Sequence, residues 1–353
     1  MLLMAGLLII AVNVAGTLFL STGYWLLTTV YCSFLLVLFF SIIGYLGRAG
    51  KYFELASHFR VQYSLLSLCH LLIFAGLQQW VWALLASFCL FINAVVVLRW
   101  LTSRKQGRTQ TPGRSVRVIQ ANVLYENRRY APFKKLVEEE KPDILIAQEV
   151  TEEWLKEMEC LSETYPYVQA ACRGLGGGIA LFSRFPFLES EILPLGFDER
   201  PAIRARLGID GTAVSLFTFH PHAPLRRDHF RWRNQQLAAA ADVIKTMPAP
   251  LIVVGDLNTT MWSPYFDQLL RARELINVRQ GFGILPTWPL WLLLPFLMLP
   301  IDHCFVSPDI AVHMTRTGSR TGSDHLPLIV DLAIPETNTT ERASRSAVEV
   351  PQV

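Results

Sequence analysis

Four apolar runs, almost free of charge, occupy the first hundred residues. They are Met1–Leu20, Tyr24–Leu46, Val61–Gln78 and Trp80–Leu98, and the first charged residue is Arg48. Each run has roughly the length that crosses ~30 Å of hydrocarbon as a helix rising about 1.5 Å per residue, although the third run is short. The pattern therefore predicts that residues 1–100 form a transmembrane region of about four spans, arranged as two hairpins.

Basic residues flank these runs and bear on the orientation of the chain. The predicted loop Gly47–Gln62 carries three basic residues and one acidic residue, and the segment 99–114 carries five basic residues and no acidic one. With four spans both regions face the same side, which the positive-inside rule makes cytoplasmic. A three-span arrangement would place the C-terminal part on the opposite face, so both faces stay open.

After the last run the composition changes to that of an α/β domain. Residues 101–114 form a basic, polar linker, and residues 336–353 form a tail rich in Thr, Ser and Glu that we expect to be disordered. Between them, residues 115–335 alternate short apolar segments, such as Leu251–Val254, with helical segments, such as Arg231–Met247. This alternation predicts a mixed α/β domain.

Polar side chains stand at the ends of the predicted strands of this domain. They are Asn122, Glu149, His220, Asp256, Asn258, Asp302, Asp324 and His325. Because strand ends of a layered α/β fold meet at one rim, we expect these side chains to share a cleft. Carboxylate and amide oxygens suit Mg²⁺ or Mn²⁺, whereas zinc would prefer more His or Cys. Such a set can activate water for attack on phosphorus and stabilise charge on the phosphoryl oxygens.

Net charge and cysteine content give little further information on binding partners or on metal and disulfide sites. The net charge of +3 is too small to indicate nucleic-acid binding by itself. The six cysteines lack the spacing of a metal site or of a disulfide framework, so we expect free, buried thiols.

Seven short motifs carry a family resemblance over residues 114–335. They are Gln120-Ala121-Asn122-Val123, Ala147-Gln148-Glu149-Val150, Gly177-Gly178-Ile179-Ala180-Leu181-Phe182-Ser183-Arg184, Thr218-Phe219-His220, Gly255-Asp256-Leu257-Asn258, Ile301-Asp302-His303 and Gly322-Ser323-Asp324-His325-Leu326-Pro327. In this order they resemble the endonuclease/exonuclease/phosphatase superfamily, the group similar to DNase I. The resemblance implies an α/β four-layer sandwich of two packed mixed β-sheets flanked by helices, joined here to N-terminal transmembrane helices.

The resemblance also implies a metal site on one side of the cleft. By position, Glu149 would be the principal metal ligand for Mg²⁺ or Mn²⁺. Asn122 would help to organise that site, and Asp324 would complete its metal side.

On the catalytic side the resemblance implies five further roles. Asp256 would orient or deprotonate the attacking water, and Asn258 would hold the phosphate. His220 would contact the phosphate or assist the leaving group. His325 would be the acid/base histidine, with Asp302 as its partner.

A long apolar segment, broken by four prolines, lies just before Asp302 at residues 282–300. The prolines argue against a helix, and we expect a loop that dips into the membrane interface, with Trp288, Trp291 and Phe296 as candidates for membrane contact. An internal packing loop is the alternative. The segment also resembles a membrane-bound bacterial branch of the superfamily, which implies an integral protein of the bacterial inner (plasma) membrane. In that branch the catalytic domain is often drawn on the outer face, in conflict with the charge bias.

Three classes of function are compatible with this sequence. The favoured one is a membrane-anchored, metal-dependent hydrolase of phosphate esters or pyrophosphates, with the lipid bilayer as partner and a lipid-linked or membrane-proximal substrate. The second is a metal-dependent nuclease acting on nucleic acid, supported by Arg226, Arg227, Arg231 and Arg233 but weakened by Asp228 among them. The third is an inactive binding module, which the intact set of polar residues opposes.

Overall fold

The N-terminal region is helical. The computed structural model describes residues 23–102, 113–174, 176–290 and 295–336. The helices here are α1 (Gly23–Ile43), α2 (Lys51–Ser57), α3 (Arg60–Gly76) and α4 (Trp80–Leu101), and the 3₁₀ turn Gly44–Ala49 follows α1. The expected loop 47–62 is therefore wrong in part, because α2 lies inside it. The predicted run Met1–Leu20 and most of the linker lie outside the described residues, as does nearly all of the tail.

Two helical segments are long and apolar enough to cross a membrane. They are Trp25–Ala49, of 25 residues, and Trp80–Leu101, of 22 residues. Helices α2 and α3 pass the same criterion only together, as a pair bent by 65°. The described residues thus contain two candidate spans, or three if the bent pair is one span, where the sequence predicted about four over residues 1–100.

The helical region buries a narrow apolar core and exposes the rest of its apolar surface. Phe34, Phe74 and Ala86 are fully buried between the helices. In contrast, Trp80 and Leu84 are 68% and 71% exposed. Helices that are apolar on nearly every side need a partner other than water for their outer faces.

Two six-stranded sheets form the C-terminal domain. Its strands are β1 (Gly113–Asn122), β2 (Ile144–Gln148), β3 (Tyr167–Ala171), β4 (Ile179–Ser183), β5 (Phe187–Leu195), β6 (Arg200–Ile209), β7 (Thr212–Phe219), β8 (Leu251–Asp256), β9 (Ile276–Asn277), β10 (Asp302–Val306), β11 (Ala311–Thr317) and β12 (Leu328–Pro335). One sheet has the order β11-β12-β1-β2-β4-β3, and the other has the order β5-β6-β7-β8-β10-β9. Both sheets mix parallel and antiparallel pairs.

Helices cover the outer face of each sheet. They are α5 (Tyr130–Glu140), α6 (Glu152–Met158), α7 (Arg227–Thr246) and α8 (Asp267–Ala272), with short 3₁₀ turns at Glu159–Leu161 and Pro295–Leu297. The apolar faces of the two sheets pack on each other through residues such as Val118 and Leu216. Phe133 of α5 and Leu237 of α7 belong to the outer cores. The layers run helices, sheet, sheet, helices, which confirms the predicted four-layer sandwich.

The strand ends that carry the polar residues meet at one edge. Strand β1 is parallel to β2, and β7 is parallel to β8, so the C-terminal ends of each pair lie side by side. Strand β10 runs antiparallel to β8, and their register sets Asp302 opposite Asp256. The topology therefore gathers residues that are up to two hundred positions apart in the chain.

All six cysteines are free, as expected. Cys89 and Cys304 are buried, whereas Cys32, Cys69 and Cys160 are exposed, so the expectation of burial is wrong for these three. Cys32 lies on α1 and Cys69 on α3, each on an outer, apolar face that packs on no other helix within the described residues.

Candidate active site

His325 and Asp302 form a buried pair at the edge where the strand ends meet. His325 Nδ1 and Asp302 Oδ2 are 2.9 Å apart. The other oxygen of Asp302 accepts a hydrogen bond from Gln120 Nε2 at 2.7 Å. With both carboxylate oxygens engaged, Asp302 fixes the imidazole so that its Nε2 lies 3.7 Å from Asp256 Oδ2. The pairing predicted from the sequence is present in the structure.

Each member of this pair stabilises the charge of the other. Burial would raise the pKa of Asp302, but the charge and hydrogen bond of His325 hold it below its usual value. Burial would lower the pKa of His325, but the charges of Asp302 and Asp256 raise it well above its usual value. The imidazole is therefore protonated at neutral pH, which suits a proton donor or a cation that binds phosphate.

Asn122 draws two carboxylates together. Its Nδ2 donates to Glu149 Oε1 at 2.9 Å and to Asp256 Oδ2 at 3.1 Å. Its Oδ1 accepts from the backbone N–H of Leu124 at 3.0 Å, and Glu149 Oε2 accepts from that of Tyr125 at 3.3 Å. Asn122 thus orients the two carboxylates, and the role at a metal site that the resemblance implies for it stays a prediction.

The carboxylates of Glu149 and Asp256 fit a hard divalent cation. Within the described residues their only ionisable partners at ion-pair distance are His220 and His325, and no Lys or Arg is paired with them. Two neighbouring carboxylates that no Lys or Arg neutralises form the oxygen donor set that Mg²⁺ or Mn²⁺ prefers.

A second group of side chains overlaps with this one. The ligand atoms of Asp256, Asp302 and His325 lie within 4.8 Å of one another. Asp302 is engaged in the ion pair with His325, whereas Glu149 accepts hydrogen bonds only from the neutral amide of Asn122 and the backbone N–H of Tyr125. A cation at Glu149 and Asp256 is therefore the arrangement that leaves the pair of His325 and Asp302 intact.

His220 and Asn258 form the opposite wall of the cleft. His220 Nε2 lies 3.5 Å from Asp256 Oδ2, 3.9 Å from Glu149 Oε1 and 3.2 Å from Asn258 Nδ2. Asn258 Nδ2 also donates to the carbonyl of Pro221 at 3.0 Å, and its backbone N–H donates to Asp256 Oδ1 at 2.9 Å. The backbone of Asn258 has a φ of 50°, a left-handed conformation that Asn tolerates better than most residues.

Asp324 lies on the side of the proline-rich segment. Its Oδ2 accepts from the indole Nε1 of Trp288 at 2.9 Å, and the Trp288 ring is 6.4 Å from that of His325 between centroids. Trp288 thus lines the cleft, while Phe296 is 47% exposed and Trp291 lies outside the described residues. The metal role of Asp324 and the membrane contacts of Trp288, Trp291 and Phe296 stay predictions.

Two buried glutamines that the sequence analysis did not single out join the two sheets beneath the cleft. Gln148 Oε1 accepts from Gln120 Nε2 at 2.9 Å and from the backbone N–H of Asp256 at 2.7 Å. Gln148 Nε2 donates to the carbonyl of Phe219 at 2.9 Å. Gln148 is the polar last residue of the otherwise apolar strand Ile144–Gln148, and this position is the sequence signal that could have identified it.

Three buried arginines support the site from behind. The sequence indicated no role for Arg200 and Arg279 and suggested nucleic-acid binding for Arg233. Arg200 donates to the carbonyl of His220 at 3.1 Å, and Arg233 donates to that of Asn258 at 3.0 Å. Arg279 donates to the carbonyl of Asp302 and to two carbonyls of the proline-rich segment. All three are buried, and nothing in their sequence neighbourhood distinguishes them from surface arginines.

The described geometry can be compared with known proteins. A model of the Endonuclease/Exonuclease/phosphatase family matches residues 119–325, which is more than half of the chain. The chain belongs to the endonuclease/exonuclease/phosphatase family. It is accordingly a hydrolase of that superfamily, whose members include phosphoesterases and nucleases. A search of curated proteins found no match.

Solved structures share the fold of the C-terminal domain. An endonuclease/exonuclease/phosphatase from Bacteroides vulgatus superposes with a TM-score of 0.54 at 18% identity, covering 63% of this chain and 99% of that one. A 3′ phosphatase from Neisseria, bound to a product DNA hairpin, gives 0.53 at 20% identity over 61% and 98% of the chains. A mannosyl-6-phosphatase from Bacteroides thetaiotaomicron gives 0.50 at 19% identity over 62% and 100%. These likenesses concern the fold, and they leave over a third of this chain without a counterpart.

Proposed function

We propose that this chain is a membrane-anchored, divalent-metal-dependent hydrolase of phosphate esters or pyrophosphates, acting on a lipid-linked or membrane-proximal substrate. One observation carries the proposal: loops that line the cleft rest directly on the apolar helices. His58, just after α2, contacts Thr260 Oγ1 through its Nδ1 at 2.9 Å. Gln62 of α3 donates to the carbonyl of Phe296 at 2.7 Å. The cleft therefore lies close to the ends of the helices that would cross the membrane.

The outer surface of the helices supports the membrane part of the proposal. On α4 alone, large apolar side chains such as Trp80, Leu84 and Phe91 are mostly exposed. Exposing this apolar surface to water would be costly in free energy, because burying apolar surface contributes roughly 25 cal/mol per Å². A lipid bilayer removes that cost, which is why we assign the helices to a membrane.

The chain's own groups divide the work of hydrolysis among them. A divalent cation, when bound at Glu149 and Asp256, supplies positive charge to the phosphoryl oxygens. In this proposal Asp256 orients the attacking water, and the amide of Asn258 binds a phosphoryl oxygen. The protonated His325, held by Asp302, donates a proton or a hydrogen bond as negative charge develops.

Phosphate release from defined substrates tests this proposal. Full-length protein in detergent is assayed with Mg²⁺ against a short-chain phosphatidic acid, farnesyl pyrophosphate, p-nitrophenyl phosphate and supercoiled plasmid. We expect Mg²⁺-dependent release from a lipid substrate at a higher kcat/KM than from p-nitrophenyl phosphate. Glu149→Gln should abolish it, and Glu163→Gln, at an exposed glutamate, should not.

Two outcomes would overturn the proposal. The first is no release of phosphate from either lipid substrate under conditions where the protein is folded. The second is nicking of the plasmid that depends on Glu149 and exceeds any activity on lipid phosphates, which would support the nuclease alternative.

A further inference from the structure

The loop that follows β7 runs from the catalytic cleft to the helical region. It begins after His220 and ends at Arg226, where α7 starts. Its tip residue, Leu225, is 75% exposed, and the carbonyl of Leu225 accepts a hydrogen bond from Lys51 Nζ, at the start of α2. Five residues of extended chain span at most about 18 Å, so Leu225 stays within that distance of His220.

Helix α2 lies at the level where the apolar helices meet the catalytic domain. It connects the candidate span Trp25–Ala49 to α3, from which it is bent by 65°. Tyr45, Leu46 and Tyr52 around this connection are about half exposed. Exposed aromatic side chains at the ends of apolar helices are typical of the membrane interface. The Lys51 contact therefore holds the exposed Leu225 at that interface.

Basic side chains lie next to Leu225 in the chain and on the segment that contacts it. Arg226 and Arg227 follow Leu225 directly, Lys51 begins α2, and Arg48 lies in the 3₁₀ turn before α2. None of these four has an ion pair within the described part of the chain, although the exposed Asp228 follows Arg227. We call Arg48, Lys51, Leu225, Arg226 and Arg227 the basic rim. Like charges that are held near one another without counter-ions attract anions from the surroundings.

The fourth basic residue of the same sequence run behaves differently. Arg233, one of the four arginines considered for nucleic-acid binding, is fully buried and is paired with Glu54 at 3.1 Å. The basic surface is therefore smaller than the sequence run and is displaced towards α2. The exposed Leu225 within this surface and the half-exposed Tyr52 beside Lys51 suit the boundary between headgroups and acyl chains better than they suit a phosphodiester backbone.

We infer that the basic rim binds the anionic headgroups of the leaflet in which the helices are anchored, with Leu225 inserted at the acyl boundary. This inference rests on the proposed membrane anchoring and names the partner of the cleft. The bound leaflet holds the loop that follows His220 at headgroup level. Anionic lipids then both position the catalytic domain and concentrate beside the cleft.

Lipid binding is measured directly and independently of catalysis. Full-length protein is purified in detergent, and phosphatidylglycerol and phosphatidylcholine of equal chain length are titrated in competition by native mass spectrometry. The wild type should prefer phosphatidylglycerol, and the preference should fall as salt is raised. Each basic residue near an anionic surface strengthens binding roughly fivefold, so Lys51→Gln, Arg226→Gln and Arg227→Gln together should reduce the preference roughly a hundredfold.

A matched variant controls for the loss of three charges. Arg128, Lys135 and Lys156 are exposed basic residues of the loop before α5, of α5 and of α6, on the far sheet, and their replacement by Gln should leave the preference unchanged. Because Lys51 also holds the loop, a second variant with only Arg226→Gln and Arg227→Gln keeps that contact and should show a smaller loss in the same direction.

The outcomes separate this inference from the proposed function. Equal lipid preference in the rim variant, the far-sheet variant and the wild type would overturn the inference, even if the enzyme hydrolyses lipid phosphates. Loss of plasmid binding without loss of phosphatidylglycerol binding would also overturn it and assign the rim to nucleic acid. Selective lipid binding in a protein that hydrolyses no lipid phosphate would support the rim and reject the proposed substrate class.

Discussion

A buried ion pair connects α2 to α7 and offers a direct test of how far the helical region supports the site. Glu54 Oε1 lies 3.1 Å from Arg233 Nη2, and both side chains are fully buried. Glu54 also accepts from Ser263 Oγ at 2.7 Å. Arg233 Nη1 in turn donates to the carbonyl of Asn258 at 3.0 Å. The carboxylate on α2 therefore neutralises the guanidinium that holds the backbone of a cleft residue.

Glu54→Gln keeps the shape of this side chain but removes its charge. Breaking one partner of a buried pair costs roughly 3–5 kcal/mol, because the remaining charge stays buried without compensation. For a domain of this size each kcal/mol lowers Tm by roughly 2–4 °C, so we expect a fall of roughly 6–20 °C. The measurement is thermal unfolding of the full-length protein in detergent, together with kcat on the substrate that the wild type hydrolyses, which should fall as Asn258 loses its anchor.

The same substitution at a surface pair is the control. Glu157 is paired with Lys134 at 2.7 Å but is 44% exposed, so Glu157→Gln should cost at most about 1 kcal/mol. Replacing both buried partners, by Glu54→Leu with Arg233→Met, should recover part of the lost Tm, since no charge is then stranded. The reasoning would be refuted if the Tm values of Glu54→Gln and Glu157→Gln differed by less than about 2 °C, which corresponds to about 1 kcal/mol or less.

Three further predictions concern the cleft itself. Gln148→Leu removes hydrogen bonds from three buried groups at about 1 kcal/mol or more each, so the Tm should fall by roughly 6–12 °C. The control is Thr218→Val, which removes a buried hydroxyl with no partner among the described residues and should change Tm little. Asp302→Asn removes a charge that raises the pKa of His325, so the imidazole should lose its proton at lower pH. The alkaline limb of the pH–rate profile should therefore move to lower pH. An unmoved limb would contradict His325 as the proton donor. Chelation of divalent ions should abolish phosphate release, and adding Mg²⁺ to the chelated protein should raise its Tm, which an ion-independent site would not show.

The layered architecture could be predicted because the central strands are strongly apolar. Leu251–Val254 is buried on both faces and flanked by turn residues, so its sequence alone indicates a strand. The edge strands gave no such signal: β5 (Phe187–Leu195) is largely exposed, and β9 has two residues. Helix α2 was missed because seven residues form a helix here only through tertiary contacts such as the burial of Glu54.

The side chains of the cleft were easier to predict than the groups that hold them. Asp256 and His220 each follow an apolar strand directly, so local sequence marks them. Gln148 acts through partners that are 108 and 71 positions away, at Asp256 and Phe219. Such contacts depend on the packing of two sheets against each other, which no local pattern of apolar and polar residues encodes.

The contacts between the helical region and the cleft argue against a simple tether. A tether on a polar linker needs no hydrogen bonds to the domain it anchors, yet α2 and α3 reach three separate segments of the domain. Glu54 pairs with Arg233, His58 contacts Thr260, and Gln62 donates to the proline-rich segment. The first two contacts fall on groups next to Asn258, and the third falls on the segment that carries Trp288. The helical region is therefore part of the structure that shapes the cleft, so a substitution in α2 should alter catalysis.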